Sequence, residues 1–174
     1  MAFYTNANKV VSIDCDGAVT MPHLPAFAAY NSVLRSNVTG GGTYITAICF
    51  DTETCDNGSN FNGTCFIAPV AGVYAFSATI KWLNLTSSMD YSYASIYAGG
   101  MYHYVYAGLW EQSTKASANG AGIFSQNFNV AAVFMNAADV AYVAGAILGG
   151  TDTVDIAAAT GTNGMTYFTG HLVG

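Results

Sequence analysis

Residues 63–76 read GTCFIAPVAGVYAF, an apolar and aromatic stretch that is broken twice. The first break is Pro69, which ends a strand, and the second is Gly72, where the missing Cβ lets the backbone bend. The last four residues, VYAF, alternate, so Tyr74 and Phe76 point to the same face of an extended chain. The stretch therefore predicts a turn, followed by a strand that two aromatic rings anchor in a core.

The same kind of pattern recurs along the whole chain. Short alternating segments rich in Val, Ile, Tyr, Phe and Thr are separated by clusters of Gly, Asn, Asp and Ser, and helical periodicity is almost absent. This pattern is typical of an all-β protein, and we predict an antiparallel ten-stranded jelly-roll β-sandwich. The predicted strands are 10–14, 26–33, 43–50, 64–67, 72–84, 90–98, 101–109, 122–135, 139–148 and 165–173.

A β-hairpin is predicted over residues 90–109, because Gly99-Gly100 supplies both positive-φ positions of a two-residue turn. This turn sets Ala98 opposite Met101 and Tyr97 opposite Tyr102, and further along it sets Ser95 opposite Tyr104 and Tyr93 opposite Tyr106. One face of the hairpin then carries six tyrosines: Tyr91, Tyr93, Tyr97, Tyr102, Tyr104 and Tyr106. The other face carries Ala94, Ile96, His103, Val105 and Ala107.

The six-tyrosine face has two interpretations that the sequence leaves open. Tyrosine has an apolar body and a polar tip, so the face can pack into a core or a subunit interface if its hydroxyls find partners. It can equally form an exposed surface that stacks on sugars. A core or a trimer interface is the preferred interpretation, and a ligand surface is the alternative.

A second hairpin is predicted over residues 122–148, with its turn near Asn136–Asp139. Its first strand places Phe124, Phe128, Val130, Ala132 and Phe134 on one face. Both strands are small and apolar on both faces, which is typical of strands that are covered on two sides. We expect another layer or another subunit to cover them.

The composition is unusually poor in charge. Hydrophobic residues make up 52% of the chain and charged residues only 8%, against about a quarter in typical domains. A monomer with this composition would expose a large uncharged surface. We therefore expect part of the surface to be covered by copies of the chain or by a larger assembly.

Charge and hydropathy also bear on two classes of partner. The net charge is −6, and the four strong cations are scattered along the chain: Lys9, Arg35, Lys81 and Lys115. Without a basic patch to neutralise phosphates, we expect no binding of nucleic acid. No apolar run reaches the roughly 18 residues of a spanning helix, so we expect no membrane insertion.

The sequence shows no motif of known catalytic chemistry. It has no G-x-S-x-G, no phosphate-binding P-loop and no paired-acid signature. Its only glutamates are Glu53 and Glu111, and its histidines, His23, His103 and His171, lie outside nucleophile and metal motifs. We expect no enzymatic activity and no cofactor.

Three carboxylates fall close together in the predicted loop DTETCDNGSN: Asp51, Glu53 and Asp56. Carboxylate oxygens are ligands that Ca²⁺ prefers, but the regular spacing of an EF-hand is absent. A solvated loop is the preferred interpretation and a calcium site the alternative.

The four cysteines, Cys15, Cys49, Cys55 and Cys65, form no CxxC pair and have no histidine at ligand spacing. A zinc site is therefore not expected. We expect small buried thiols, and a disulfide between Cys55 and Cys65 is the alternative in an oxidising environment.

Residues 1–25 differ from the rest of the chain. They hold one short strand candidate, a turn signal at Asp16-Gly17, and two prolines, Pro22 and Pro25, that stiffen a connector. We interpret residues 1–25 as a docking arm with a proline hinge and residues 26–174 as the head domain. An arm that cannot fold alone is expected to dock on another body.

Aromatic and glycine positions in the head resemble those of a known family. FIAPVAGVYAF resembles the pattern F-T-x-P-x-x-G-x-Y-x-F of the globular head of the complement-q subunit, a relative of the tumour-necrosis-factor (TNF) jelly rolls, and YFTGHLVG at 167–174 resembles that family's closing strand. The interval from Phe61 to Phe66 is shorter than is usual there, and Ala78 replaces the final aromatic. We assign the positions that carry the resemblance a role in the fold and no chemistry. They are Phe50, Asp56, Phe61, Phe66, Pro69, Gly72, Tyr74, Phe76, Phe168 and Gly170.

The resemblance implies a tight homotrimer with an apolar axis. The order of an arm, a proline joint and such a head is also similar to bacteriophage virion proteins, and we expect neither a collagen repeat nor a secretory leader before the head. The leading hypothesis is therefore a non-enzymatic virion protein, made in the host cytoplasm and exposed on the particle surface. It would be a homotrimeric capsid decoration or head-knob protein, bound to a capsid or fibre protein through residues 1–25 and aiding adhesion to the host surface.

Two other hypotheses remain open at this point. One is the receptor-binding tip of a phage tail fibre, which would use tyrosine-rich loops to bind host surface glycans. The chain is too short to form a fibre shaft of its own, so the decoration hypothesis is preferred. The other is a secreted recognition module that is exported by an unconventional route.

Overall fold

The computed structural model describes residues 1–5, 8–110, 122–150, 152–159 and 166–174, so Glu111 and Lys115 lie outside the described residues. Its regular elements are antiparallel β-strands, as predicted. The described residues form fourteen strands in three sheets, where ten strands were predicted. The strands are β1 Ala2–Thr5, β2 Asn8–Ile13, β3 Val19–Thr20, β4 Ala26–Tyr30, β5 Arg35–Thr39, β6 Thr52–Asn57, β7 Cys65–Ile67, β8 Gly72–Leu85, β9 Tyr91–Ala98, β10 Met101–Gly108, β11 Gly122–Met135, β12 Val140–Leu148, β13 Val154–Ile156 and β14 Tyr167–Leu172.

Two sheets form the head. The four-stranded sheet has the order β10-β9-β12-β7. The seven-stranded sheet is built around β8, which pairs with β11 along one edge and with β14 and β13 along the other. Beyond β14 the sheet continues through β4 to β6, and beyond β13 it continues to β5.

Strand β8 shows why this sequence makes a sandwich. Along its 14 residues, Tyr74, Phe76, Ala78, Ile80 and Trp82 point inward and are buried. The residues between them are small or polar and point away from the four-stranded sheet. Burial of one face of an alternating strand fixes its register, because a shift by one residue would expose every ring.

The positions that carry the family resemblance gather in one aromatic cluster in the core. Phe66 lies 5.5 Å from Tyr74 and 5.8 Å from Phe76 between ring centroids, and Phe168 lies 5.8 Å from Phe76. Phe27 joins them, stacked on Phe61 at 4.7 Å and on Phe66 at 5.0 Å. The rings of these six residues are all buried.

Polar bonds fix the turns around this cluster. The Asp56 carboxylate accepts hydrogen bonds from the backbone N–H groups of Asn60 and Phe61, at 3.0 and 2.9 Å. The Tyr74 hydroxyl donates to the carbonyl oxygen of Val70 at 2.8 Å, which ties the start of β8 to the turn after Pro69. Asp56 therefore holds the turn between β6 and β7.

The hairpin of β9 and β10 is confirmed in its register and its turn. Ala98 pairs with Met101, Tyr97 with Tyr102, Ser95 with Tyr104 and Tyr93 with Tyr106. Both turn glycines have the positive φ that the two-residue turn requires, 59° at Gly99 and 81° at Gly100.

The hairpin predicted over residues 122–148 is wrong. Strand β11 pairs with β8, whereas β12 pairs with β9 and β7 in the other sheet, so residues 136–139 cross between the two sheets. An alternating pattern is the same for a hairpin and for an arch between sheets. A bulge between Val130 and Val133 also shifts the alternation of β11, so that Phe134 is exposed.

Two further segments differ from their predictions. Residues 43–50 lie beside β12, with the N–H groups of Ile45 and Ile48 bonded to Gly145 and Val143, but they form an isolated bridge and no regular strand. The positive φ of Ala47, 54°, interrupts the extended backbone there. Residues 52–57, predicted as a loop, form β6, because the exposed β4 edge offers them partners.

The N-terminal residues fold into a small sheet of their own, with the order β1-β2-β3, where one strand was predicted. The Asp16-Gly17 turn is present, and Asp14 Oδ1 accepts from the backbone N–H groups of Asp16 and Ala18. None of the strand pairings in the described residues joins this small sheet to the head. Its apolar side chains Phe3, Tyr4 and Val19 are exposed.

Candidate binding surfaces

A continuous tyrosine surface covers the outside of the four-stranded sheet. Along β10, Tyr102 stacks on Tyr104 at 5.6 Å and Tyr104 on Tyr106 at 5.9 Å between ring centroids. Tyr93 and Tyr97 of β9 contact these rings from the neighbouring strand. We define the tyrosine surface as Tyr44, Tyr93, Tyr97, Tyr102, Tyr104, Tyr106 and Tyr142.

Five of the six predicted tyrosines therefore come together. Tyr91, the sixth, is exposed and makes no ring contact with a described residue. Sequence reasoning missed Tyr142, which stacks on Tyr97 at 4.9 Å, and Tyr44, which stacks on Tyr93 at 5.5 Å. Only the pairing of β12 with β9 brings Tyr142 opposite Tyr97, and the wrong hairpin concealed that pairing.

The tyrosine surface does not belong to the core of the chain. Tyr104 is 47% and Tyr106 65% exposed, whereas the opposite face of β9, with Ala94, Ile96 and Ala98, is fully buried. A subunit interface and a ligand surface remain as the interpretations of this surface.

Two hydrogen bonds between side chains hold the inner rings of the tyrosine surface. Tyr102 and Tyr142 join their hydroxyls at 2.9 Å, and the Tyr44 hydroxyl lies 2.9 Å from Ser95 Oγ. Burial raises the pKa of Tyr44 to about 12 and, together with the bond to Tyr102, raises the pKa of Tyr142 above its ordinary value. The Tyr44 and Tyr142 hydroxyls therefore stay neutral to a higher pH than an ordinary tyrosine hydroxyl.

The outside of the seven-stranded sheet is a second surface of unusual composition. Its side chains point away from the core in aligned ranks across five strands. We define the outer sheet face as Ala26, Ala28, Tyr30, Cys55, Ala75, Ser77, Thr79, Asn127, Asn129, Tyr167, Thr169 and His171. None of these twelve is an Asp, Glu, Lys or Arg. The next residue outward on β8 is Lys81, two positions beyond Thr79.

Seven of the twelve side chains of the outer sheet face are small: Ala26, Ala28, Cys55, Ala75, Ser77, Thr79 and Thr169. Thr79 Oγ1 donates to Asn127 Oδ1 across β8 and β11 at 2.5 Å. A shallow hollow of about 170 Å³ lies between Ser77, Asn129, Thr169 and His171. Small side chains let another layer approach closely.

Two larger hollows lie elsewhere on the head. The tip hollow, about 380 Å³, is lined by Tyr97, Gly99, Gly100, Asn136, Ala138, Asp139 and Val140. The arm groove, about 440 Å³, separates the small N-terminal sheet from the head and is lined mainly by apolar groups, among them Val10, Met21, Pro25, Val70 and Leu172.

Known proteins share the shape of this chain but little of its sequence. No family model and no curated protein matches it. It is similar to the crystal structure of murine APRIL at pH 8.5, with a TM-score of 0.52 and 6% identity over 86% of this chain and 98% of that one. It is also similar to the Eiger TNF of S. frugiperda, with a TM-score of 0.56 and 10% identity over 87% and 93%.

The head has a TNF-like jelly-roll fold. The predicted fold class is thereby confirmed, and at identities of 10% or less the likeness shows the fold alone. Among the described residues of this chain, no helix has both the length and the apolar character needed to span a bilayer.

The three acidic residues suggested for calcium have separate surroundings in the TNF-like head. Asp51 accepts from the Ser32 backbone N–H at 2.8 Å and pairs with Arg35 at 2.7 Å. Its partial burial would raise its pKa, but the bond from Ser32 and the Arg35 charge lower it on balance. Asp56 holds its turn, and Glu53 is exposed on β6. Among the described residues, no three His, Cys, Asp or Glu side chains come together as metal ligands.

The cysteines and histidines of the TNF-like head form no reactive group with one another. All four cysteines of the chain are free and none is buried, so the expectation of buried thiols is wrong: Cys15 and Cys55 are exposed, and Cys49 and Cys65 are half-buried. Cys55 lies on β6 and Cys65 on β7 in the other sheet. His103 Nε2 lies 3.4 Å from the Ala98 carbonyl within the β9–β10 hairpin. His171 is exposed on the outer sheet face.

Proposed function

We propose that this chain is a non-enzymatic virion structural protein, a homotrimeric capsid decoration or head-knob protein anchored by its N-terminal arm. The observation that carries the proposal is the outer sheet face, twelve side chains of five strands without a carboxylate, ammonium or guanidinium group. Copies of this face can approach without desolvating a strong charge, and burial of an unpaired charge is strongly unfavourable.

The proposed trimer accounts for the composition of the chain. With only 8% charged residues, a monomer would leave much uncharged surface in water. Association through the outer sheet faces would bury much of that surface and leave the tyrosine surface, on the opposite side of the sandwich, exposed. We assign the protein to the complement-q type of this fold, in the form that occurs in phage virion proteins.

The N-terminal sheet supports the proposed anchoring. Three strands of two to six residues form too small a sheet to be stable without packing partners. Its exposed Phe3, Tyr4 and Val19 would provide apolar contacts to a capsid or fibre protein. The connector with Pro22 and Pro25 would hold the head away from that partner.

Antibody labelling of purified particles tests the proposed location. An antibody raised against the head should label the shell at many positions, as seen by electron microscopy. Particles made without the gene serve as the control and should remain unlabelled. Absence of label from every particle would contradict a virion role.

The tyrosine surface favours a second candidate function, the receptor-binding tip of a tail fibre that recognises host glycans. Aromatic rings with hydroxyl tips stack on sugar rings and bond their hydroxyls. Labelling confined to the tail end would support this candidate over decoration. Replacing Tyr104 by Ala distinguishes the two interpretations of the tyrosine surface, a subunit interface and a ligand surface. Loss of folding or assembly would contradict a ligand role for this surface.

A further inference from the structure

The tip hollow combines three kinds of group at one end of the sandwich. Tyr97, whose ring stacks on Tyr142, is one of its lining residues. The hairpin turn contributes Gly99 and Gly100. A Cβ added at Gly100 would meet no atom within 4 Å, so the turn is open to solvent there, whereas Gly99 packs against Val133 and Phe134. Asn136 and Asp139 contribute an amide and a carboxylate.

The carboxylate of Asp139 is only partly used by the protein. Its Oδ2 accepts from the Asn136 backbone N–H at 2.7 Å and lies 3.4 Å from Asn136 Nδ2. Among the described residues, no donor bonds to Asp139 Oδ1. An acceptor beside an aromatic ring and open peptide groups suits a ligand with several hydroxyls and an apolar ring face.

We infer that the tip hollow binds one neutral hexose unit of a surface glycan. Sugar hydroxyls would donate to Asp139 Oδ1 and accept from the Asn136 amide, while the C–H face of the ring packs on Tyr97. The inference rests on the host-attachment role proposed above, and it names the ligand class and the subsite for that role.

The lining argues against the other common ligands. No Lys, Arg or His among the described residues lines the hollow, and the net charge of the chain is −6, so sialylated, sulfated and uronic sugars would be repelled. A single carboxylate is too few ligands for Ca²⁺, which takes six to eight oxygens. The volume of about 380 Å³ falls within the usual range for small-molecule sites.

Saturation-transfer NMR tests the inference with simple probes. The probes are the methyl glycosides of glucose, galactose and mannose as both anomers, at millimolar concentration, with methyl sialoside as the anionic comparison. At least one neutral glycoside should receive saturation from the intact protein, and the sialoside should receive none. Silence of all six neutral probes, or a signal from the sialoside alone, would overturn the inference.

Matched substitutions locate the binding. Asp139→Asn keeps the bond to the Asn136 N–H but removes the charge, and affinity should fall about tenfold, since hydrogen bonds to charged groups are the strong ones. Asp14→Asn is the control, because Asp14 holds a similar turn in the arm. Asn136→Ala is the second variant in case Asp139→Asn does not fold, and it should also weaken binding.

Undiminished binding by both folded variants would place the sugar elsewhere and overturn the inference. Virion labelling and the native mass are independent of these probes. Labelled particles together with no saturation transfer to the sugars would therefore contradict only the sugar site. Unlabelled particles would contradict the virion role.

Discussion

Gly170 lies where β14 crosses the aromatic core, and it has no room for a side chain. A Cβ there would stand 2.4 Å from Phe76 Cδ1 and 2.7 Å from Phe27 Cε1. Gly170→Ala should therefore force two buried rings out of place and lower the free energy of unfolding by about 1–3 kcal/mol. Urea unfolding measures the change.

Gly174→Ala is the matched control, because a Cβ there would meet no atom within 4 Å. Its unfolding midpoint should equal that of the parent protein. Equal stability of the Gly170→Ala protein would show that the core is looser than described.

The tyrosine surface predicts a loss of stability at high pH. Below pH 10 the Tyr44 hydroxyl is neutral in both the folded and the unfolded chain. Between pH 10 and about 12 the unfolded chain ionises Tyr44 while the folded chain keeps it neutral, because burial raises its pKa to about 12. Stability that is fully present below pH 10 should thus fall as the pH rises through this range.

Absorbance of ionised tyrosine measures this effect, with the protein in concentrated urea as the reference. The folded protein should titrate part of its tyrosines later than the unfolded one, and Tyr44→Phe should reduce that late fraction. Coincident titration curves of the folded and unfolded protein would contradict the packing of Tyr44.

Single residues explain what the sequence could and could not predict about this surface. The Gly99-Gly100 turn fixes the register of one hairpin through local geometry alone, so five tyrosines of the surface were placed correctly. Tyr142 lies beside them because β12 pairs with β9. Tyr44 reaches them from the segment that is irregular at Ala47. These depend on contacts between distant parts of the chain, which alternation does not encode.

At the level of elements, β8 was predictable and β11–β12 was not. β8 is a long alternating run with one buried side, so its pattern fits only one strand orientation relative to the core. β11 and β12 are separated by a short turn, which fits either a hairpin or a crossing between sheets. The exposed Ser125, Asn127 and Asn129 of β11 mark it as a strand with one free face, a signal obscured by its apolar neighbours.

The N-terminal sheet should be dispensable for the head. Strands β1–β3 pair only with one another in the described part of the chain, and the head joins the connector through Leu24 and Pro25. Deletion of residues 1–20 should shift the melting temperature of the head by less than roughly 4 °C, the change expected from about 1 kcal/mol.

Calorimetry of the parent and the deleted protein measures that shift. Particle binding should be lost in the same deletion, since the arm is the proposed anchor. A head that unfolds without residues 1–20 would show that the small sheet is part of the domain.

For the whole molecule, the outer sheet face should govern assembly. Thr169→Glu would place three unpaired carboxylates in the proposed interface, where burial without a partner is strongly unfavourable. We expect the dissociation constant of the trimer, measured by sedimentation, to rise at least about tenfold. Tyr106→Glu, with the same charge on the exposed tyrosine surface, should leave the trimer intact.

The association of three copies is the central claim, and the native mass of the purified protein tests it most directly. Native mass spectrometry should give a species of three times the 18.1 kDa chain mass. A single species of 18.1 kDa that stays in solution would contradict the claim.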